Sequence, residues 1–302
     1  METDGQIALG EPAANGSGFR LTDDDIQILR LIHQHRFLRR EQISVLTNRH
    51  PVAVHRRLMK LGAANYVSPL RLPQQKYIYR LHQAGVAVLF MRGLASEENA
   101  TRRNRDHELK PLFLDHEMML VDLHVVMSLA SREGETRLLD WKEGRVNHDE
   151  VLISDRHGSG RLPVQPDAFF KLEDSRWPTE KNSAHFALEA DRSTTAHVRF
   201  RDKMRAYWHY IDQGLPQRKF GVKRFRVLTV TLTPERARNL CVLCKETVPA
   251  GAYKYFLFTS AENFSLENPS AIFQPMCISP RDDLQHPLIP APTQLQKEGA
   301  MV

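Results

Sequence analysis

The feature that most constrains the fold is a series of short helical patterns within residues 21–81. The first pattern begins at Thr22, where Asp25 follows three residues later as in a capping box, and acidic residues suit the positive end of a helix. Apolar residues then recur at helical spacing through Ile32. This spacing predicts a first helix that ends near residue 37.

Two further helices and a β-hairpin are predicted in the rest of this segment. Residues 40–46 fit a short second helix. Pro51 suits the first position of a third helix, because its missing N–H costs nothing there, and Gly62 is expected to end that helix. Extended patterns at residues 66–68 and 76–81 flank a linker that contains two prolines. The order helix, helix, turn, helix, strand, wing, strand is that of a winged helix-turn-helix module.

Basic residues are concentrated in the same segment. From Arg30 to His82 the sequence has 11 Lys and Arg residues and one acid, Glu41. Residues 83–302 carry 30 basic and 29 acidic residues, so the excess positive charge of the chain belongs to this segment. Positive charge that is confined in this way is typical of a surface that binds a polyanion such as DNA.

The predicted third helix has an apolar face opposite a basic one, which suits the major groove of double-stranded DNA. Basic residues in the preceding turn, the second helix and the wing are expected to contact phosphates. The predicted DNA-binding residues are Arg39, Arg40, Asn48, Arg49, His55, Arg56, Arg57, Lys60, Arg71 and Lys76.

A second domain is predicted over residues 111–287, where helical and extended patterns alternate. Helices are expected at 113–130, 200–212 and 233–245, and residues 225–232 are expected to form a strong buried strand. The other predicted strands are 137–141, 165–172, 185–191 and 253–259. The order α-β-β-β-α-β-α-β favours an α/β domain with a mixed sheet.

The predicted fold class is therefore α+β or α/β, with an N-terminal winged helix-turn-helix followed by a mixed-sheet α/β domain. The predicted segments are a disordered leader at 1–18, the DNA-binding domain at 19–93, a linker at 94–110, the α/β domain at 111–287 and a flexible tail at 288–302.

One group of residues in the second domain could carry chemistry. Pro166-Asp167 opens a predicted strand, and Glu189-Ala190-Asp191 ends the next one. This pattern is similar to the restriction-endonuclease-like fold, in which a Pro-Asp and a Glu-x-Lys hold a divalent metal such as Mg²⁺ that activates water. Here Asp191 stands in the lysine position, and Arg192 or Lys203 is the candidate substitute. The alternative is a polar network of these carboxylates that organises loops.

Cysteines and histidines offer a weaker candidate for a metal site. Cys241 and Cys244 form a CxxC pair, with Cys277 and His286 downstream. Because the pair lies in a predicted helix beside apolar residues, buried structural cysteines are favoured over a zinc site. No cofactor is expected, apart from Mg²⁺ if the nuclease-like site is active.

The sequence also predicts where the protein resides. It has no apolar run of membrane-spanning length, and its acidic N-terminus lacks the pattern of a signal peptide. Three cysteines give no disulfide framework and fit a reducing compartment. A cytoplasmic protein without a membrane partner is expected.

Several motifs together resemble one known family, the plasmid replication-relaxation family. The resemblance runs over most of residues 20–290. It rests on Thr22-Asp23-Asp24-Asp25-Ile26, Asp115-His116-Glu117, Pro166-Asp167-Ala168, Leu188-Glu189-Ala190-Asp191-Arg192-Ser193-Thr194, Lys203, Tyr207, Phe225-Arg226-Val227-Leu228 and Arg236-Ala237. It implies a role in the replication, mobilisation or control of a bacterial plasmid or another mobile element. It does not imply relaxase chemistry, because no tyrosine accompanies a three-histidine cluster.

Three functions are therefore open from the sequence. The leading hypothesis is a DNA-binding protein of a mobile element, whose second domain mediates homodimerisation or recruits replication or transfer proteins. The second is a metal-dependent DNA nuclease that uses Asp167, Glu189 and Asp191. The third is a transcriptional repressor of its own element.

Overall fold

The computed structural model describes residues 19–71, 77–95, 111–155, 158–192 and 196–292. The chain forms two compact units that divide between Val121 and Asp122, and these are called unit 1 and unit 2 here. The secondary structure is mixed α+β, as the sequence predicts. The predicted leader and most of the predicted linker lie outside the described residues.

Unit 1 contains four helices and a small antiparallel sheet among its described residues. In chain order they are α1 (Asp23–His35), β1 (Leu38–Arg39), α2 (Arg40–Thr47), α3 (Pro51–Ala63), β2 (Val67–Leu70), β3 (Ile78–Leu81) and α4 (Gln83–Met91). The strand order is β1-β3-β2, with both pairings antiparallel.

The start of α1 confirms the predicted capping box. The Thr22 side chain accepts a hydrogen bond from the Asp25 backbone N–H at 3.3 Å, and the Asp25 carboxylate accepts one from the Thr22 N–H at 2.8 Å. The apolar face of α1 is buried, with Leu29 and Ile32 fully inaccessible. The cap satisfies backbone donors that would otherwise be unpaired at the helix end.

The predicted end of α3 at Gly62 is wrong. The helix continues through Ala63, and the residue that adopts a left-handed conformation after it is Asn65, with φ of 60°. The Tyr66 N–H then donates to the Leu61 carbonyl at 2.8 Å. Asparagine tolerates this conformation because its short polar side chain bonds locally, so it can end a helix in place of glycine.

Unit 2 is built on a seven-stranded mixed sheet. The division between the units falls within α5 (Pro111–Ala130). The elements that follow are β4 (Thr136–Glu143), β5 (Asp149–Asp155), β6 (Gly158–Val164), β7 (Ala168–Asp174), β8 (Ser183–Asp191), α6 (His197–Asp212), α7 (Pro216–Phe220), β9 (Arg226–Thr231), α8 (Pro234–Thr247), β10 (Phe256–Ser260), β11 (Cys277–Ser279) and β12 (Asp282–His286).

The strand order of the large sheet is β12-β11-β10-β9-β8-β7-β4. Strands β8, β9 and β10 are parallel to one another, and the other pairings are antiparallel. Strands β5 and β6 form a separate antiparallel hairpin. Parallel neighbours need crossover connections, and α6 and α8 supply them.

Both faces of the central strands are buried, and five of the six residues of β9 are inaccessible to solvent or nearly so. One face packs against α6 and α8, with Phe169 and Val227 in that core. On the other face Phe170 stacks on Phe186, with ring centroids 4.9 Å apart. Trp141 extends this stack, 5.4 Å from Phe170.

The ordered chain continues past residue 287, where the sequence predicts the domain to end. Leu288 is fully buried and its carbonyl accepts a hydrogen bond from Arg226 at 2.8 Å. The Trp177 indole N–H donates to the Pro290 carbonyl at 2.8 Å. The end of the predicted tail, residues 293–302, lies outside the described residues. No described helix has both the length and the apolar character of a membrane span.

Candidate nucleic-acid interface and polar cluster

Helix α3 presents one face to the core of unit 1 and the other to solvent. Val54, Leu58 and Leu61 are buried, as the helical period predicts. The solvent-facing row is called the outer face of α3 and consists of Val52, His55, Arg56, Met59 and Lys60. Val52 is 56% exposed and Met59 is 60% exposed.

The two cations of the outer face, Arg56 and Lys60, have no ion pair within the described chain. Both are exposed, as is the neighbouring His55. The charges of Arg56 and Lys60 are therefore not neutralised by the described protein, and they stand next to two exposed apolar side chains. A helix face of this kind can contact both phosphates and base edges.

Arg57 lies between the two faces of α3 and is held by α1. Its Nε donates to the Asp25 carboxylate at 2.6 Å, and its Nη2 donates to the other carboxylate oxygen. Asp25 is fully buried, and the Phe19 ring lies 5.1 Å from the Arg57 guanidinium. The sequence predicts Arg57 as a DNA contact, and in the structure its guanidinium joins α3 to the first turn of α1.

The pKa of Asp25 reflects this pairing. Burial alone would raise it, but hydrogen bonds from Arg57 and Thr22 overcome that effect and leave the pKa below its usual value. Asp25 therefore stays ionised and keeps Arg57 in place.

The turn before α3 is shaped by Asn48. Asn48 has φ of 54° and ψ of 45°, ends α2, and donates its N–H to the Ser44 and Val45 carbonyls. Arg49 follows and forms an ion pair with Asp24. Asparagine suits this left-handed position, so Asn48 sets the angle at which α3 leaves α2.

The remaining basic candidates come before α3 or after it along the chain. Arg39 precedes α2, and Arg40 begins it with Nη2 3.0 Å from a Glu41 carboxylate oxygen. Arg71 is exposed at the end of β2, where its guanidinium lies 5.8 Å from the Tyr77 ring centroid. Lys76 lies outside the described residues.

In unit 2 the predicted carboxylates lie near the carboxyl end of β8. The Asp167 N–H donates to the Leu188 carbonyl at 2.9 Å, and the Asp167 carboxylate accepts from the Ala190 N–H at 2.8 Å. These two bonds tie Asp167 to the strand that carries Glu189 and Asp191. The Asp167 carboxylate therefore lies beside the backbone of the segment that carries the other two predicted carboxylates.

Glu189 is 4% exposed and is contacted by two side chains of α6. Lys203 donates to one carboxylate oxygen and Tyr207 donates to the other. Lys203 and Tyr207 are four residues apart, so they share one face of the helix. Lys203 thus reaches Glu189, as its candidate role as a substitute lysine requires.

Asp191 is bound differently, although it projects from the same face of β8. Its carboxylate accepts from Arg236 Nε at 2.8 Å, and Arg236 belongs to α8. Glu189 and Asp191 are thus each neutralised by a separate helix. No three acidic, histidine or cysteine side chains among the described residues form a group that could hold a metal ion.

The electrostatics of the cluster, defined as Asp167, Glu189, Lys203 and Tyr207, are strongly coupled. Burial raises the pKa of Glu189, Lys203 opposes that rise, and Asp167 adds to it. Glu189 in turn raises the pKa of Lys203, so the ammonium stays protonated. Burial raises the Tyr207 pKa well above its usual value, which keeps its hydroxyl a donor.

The cysteine candidates are buried thiols. Burial raises the pKa of Cys241 to about 11, that of Cys277 to about 12, and that of Cys244 well above its usual value. Cys277 faces His286 in the β11–β12 pairing, and His286 bonds Asp282 at 2.7 Å. A thiol must lose its proton to bind zinc, and burial disfavours that loss.

Comparison with known families gives one match. A family model described as replication-relaxation matches residues 29–224, which is more than half of the chain. The comparison with curated proteins and the comparison with solved structures found no match. The matched range includes the outer face of α3 and all four residues of the cluster.

Proposed function

Because the chain belongs to the replication-relaxation family, we propose that it binds double-stranded DNA in the replication or mobilisation of a bacterial plasmid or other mobile element. The outer face of α3 carries this proposal. It places unpaired cations and exposed apolar groups on one side of a helix whose other side is fixed in a core. DNA phosphates attract the cations, and the major groove accommodates a helix.

The arrangement around α3 supports a winged helix-turn-helix mode of binding. Helices α2 and α3 are joined by the Asn48 turn, and β2 and β3 pair after α3 as the two strands of a wing would. In this mode Arg56 and Lys60 enter the major groove, and Arg71 lies on the wing side. Arg57 positions α3 rather than contacting DNA.

The surface ion pairs of the neighbouring arginines are compatible with phosphate contacts. Arg49 pairs with Asp24, whose side chain is 53% exposed, and Arg40 pairs with Glu41 at the surface. Exposed ion pairs contribute only about 0–1 kcal/mol, so a phosphate can replace the carboxylate at little cost. We propose that Arg39, Arg40, Arg49 and Lys76 bind backbone phosphates in this way.

The first test is a titration of a mixed-sequence DNA duplex with the full chain at several salt concentrations. The double substitution Arg56→Ala/Lys60→Ala is expected to weaken binding at least about tenfold and to make it less dependent on salt, because two cations that lie against the DNA are lost. Arg30→Ala removes an exposed cation from α1 and should leave binding nearly unchanged. Equal binding by the double variant and the wild type would contradict the proposal.

We further propose that the cluster stabilises unit 2 and does not hold a catalytic Mg²⁺ ion. Lys203 and Tyr207 already occupy both oxygens of Glu189, and Arg236 binds Asp191. A metal ion would have to displace these donors. In this proposal unit 2 serves homodimerisation or recruits replication or transfer proteins.

The nuclease alternative is tested with supercoiled plasmid incubated with the full chain and Mg²⁺ or Mn²⁺. We expect the plasmid to remain supercoiled over the whole incubation, because a metal ion would have to displace Lys203 and Tyr207 from Glu189 and Arg236 from Asp191. The control variant is Asp167→Ala, which is expected to leave the plasmid supercoiled as the wild type does. Nicking or linearisation that disappears in Asp167→Ala would establish the nuclease instead.

A further inference from the structure

A second charged surface lies at the opposite end of the parallel strands from the cluster. Arg224 comes just before β9, and Lys254 and Tyr255 come just before β10, which pairs with β9 in parallel. Helix α6 follows the carboxyl end of β8 and runs back along the sheet, so Trp208 near its end reaches the same edge. Together with Lys223, these residues are called the amino-end patch.

The patch has an aromatic floor, formed by Trp208 and Tyr255, and two cations lie over the Tyr255 ring. The Trp208 and Tyr255 rings stack with centroids 6.4 Å apart and an angle of 28°. The Arg224 guanidinium lies 5.9 Å from the Tyr255 ring centroid, and the Lys254 ammonium lies 5.5 Å from it. Both aromatic residues are partly exposed, and both cations are exposed.

The charge around the patch is not balanced by the protein. Residues 213–234 contain five Lys and Arg residues and no acid. Arg218 pairs with Asp149 at 3.4 Å, and Arg226 donates to the Leu288 carbonyl. Within the described residues, Lys223, Arg224 and Lys254 have no ion pair. Unit 2 is nearly neutral as a whole, so this local excess of positive charge marks a surface for an anionic partner.

We propose that the amino-end patch binds single-stranded DNA. Unpaired bases can stack on the partly exposed Trp208 and Tyr255 rings, and the cations beside them can bind the phosphates of the same strand. The bases of a duplex are stacked on one another, so a duplex can contact only the cations of the patch. The aromatic floor therefore favours a single strand over a duplex. It also favours a single strand over an acidic protein, because such a protein offers no flat rings at regular spacing. This site is separate from the duplex-binding outer face of α3.

The test is the binding of a fluorescent oligothymidylate to the full chain, because this oligonucleotide forms no duplex. Arg224→Ala/Lys254→Ala is expected to weaken its binding about tenfold, and to leave binding of a duplex by the full chain unchanged within about twofold. Both side chains are exposed, so the variant should fold, which circular dichroism checks. Arg238→Ala is the matched control, since Arg238 is exposed on α8 near the carboxyl ends of the strands.

Tryptophan fluorescence tests the stacking step separately. Oligothymidylate should quench the wild-type emission, and Trp208→Phe should lose that quenching while Trp141 and Trp177 continue to emit. The proposal is overturned if Arg224→Ala/Lys254→Ala binds oligothymidylate as the wild type does, or if Arg238→Ala loses as much affinity. It is also overturned if Arg56→Ala/Lys60→Ala alone abolishes single-strand binding. If the full chain binds oligothymidylate but no duplex, the proposal for the outer face of α3 is contradicted and the proposal for the amino-end patch is supported.

Discussion

The substitution Asp25→Asn is expected to destabilise unit 1 by about 3 kcal/mol, because it leaves the Arg57 guanidinium without its buried anionic partner. Asp25 is fully buried, accepts two hydrogen bonds from Arg57 and closes the capping box with Thr22. One residue thus caps α1 and fixes α3. Urea unfolding of the full chain, monitored by circular dichroism, measures this loss as a lower urea concentration at the midpoint of unfolding.

Asp23→Asn is the matched control for this prediction. Asp23 lies in the same first turn of α1, but its side chain is fully exposed and 4.0 Å from Arg92. Its replacement should leave the urea transition almost unchanged. If the two variants unfold alike, the Asp25–Arg57 pair does not fix α3 as described.

The same pair gives the stability of unit 1 a defined pH dependence. The pKa of Asp25 is lower in the folded protein than in the unfolded chain, so its contribution is complete above the unfolded-state pKa. That contribution is lost as the pH falls through the lower, folded-state pKa. The wild type should therefore lose stability more steeply in acid than Asp25→Asn.

Local signals in the sequence explain why much of unit 1 could be predicted. The Thr22–Asp25 capping box and Pro51 at the start of α3 act within a few residues, and both are present in the structure. The Arg57–Asp25 pair joins residues 32 positions apart. The sequence predicts that Arg57 contacts DNA because it is basic and lies on the flank of α3, and no local pattern indicates that Asp25 is its partner.

In unit 2 the sequence predicts five strands of the large sheet, and it misses β5, β6, β11 and β12. Strand β9 is rich in the β-branched residues Val and Thr and is almost wholly buried, which makes its pattern strong. The β5–β6 hairpin was not predicted, because β6 contains Gly158, Gly160 and Pro163, which are poor strand formers. Its position depends on contacts with α6, for instance the 2.8 Å bond from Arg205 to Asp155, which are distant in sequence.

The cluster, too, could be predicted only where a pattern of nearby residues indicates it. Alternation along β8 predicts that Glu189 and Asp191 share one face. Which helix covers each carboxylate depends on the packing of α6 and α8, and no local pattern specifies that. The one local signal for Tyr207 is its spacing of four residues from Lys203.

Glu189→Ala is expected to destabilise unit 2 by about 1–3 kcal/mol, because it leaves the buried Tyr207 hydroxyl without its acceptor and the partly exposed Lys203 ammonium without its partner. Glu189→Gln should cost less, since its amide oxygen can still accept one hydrogen bond. Glu180→Ala, at an exposed position of the same unit, is the control. Thermal and urea unfolding of the full chain measure the three variants.

A paired substitution separates a stabilising role of Glu189 from a catalytic one. Glu189→Leu/Lys203→Met removes both charges together, so it should be more stable than Glu189→Leu alone, in which the ammonium stays unpaired. A carboxylate kept for catalysis usually costs stability, and its removal then leaves a protein as stable as before or more so. A gain in stability on Glu189→Ala would therefore argue for a functional site at β8 and against the stabilising network proposed for it.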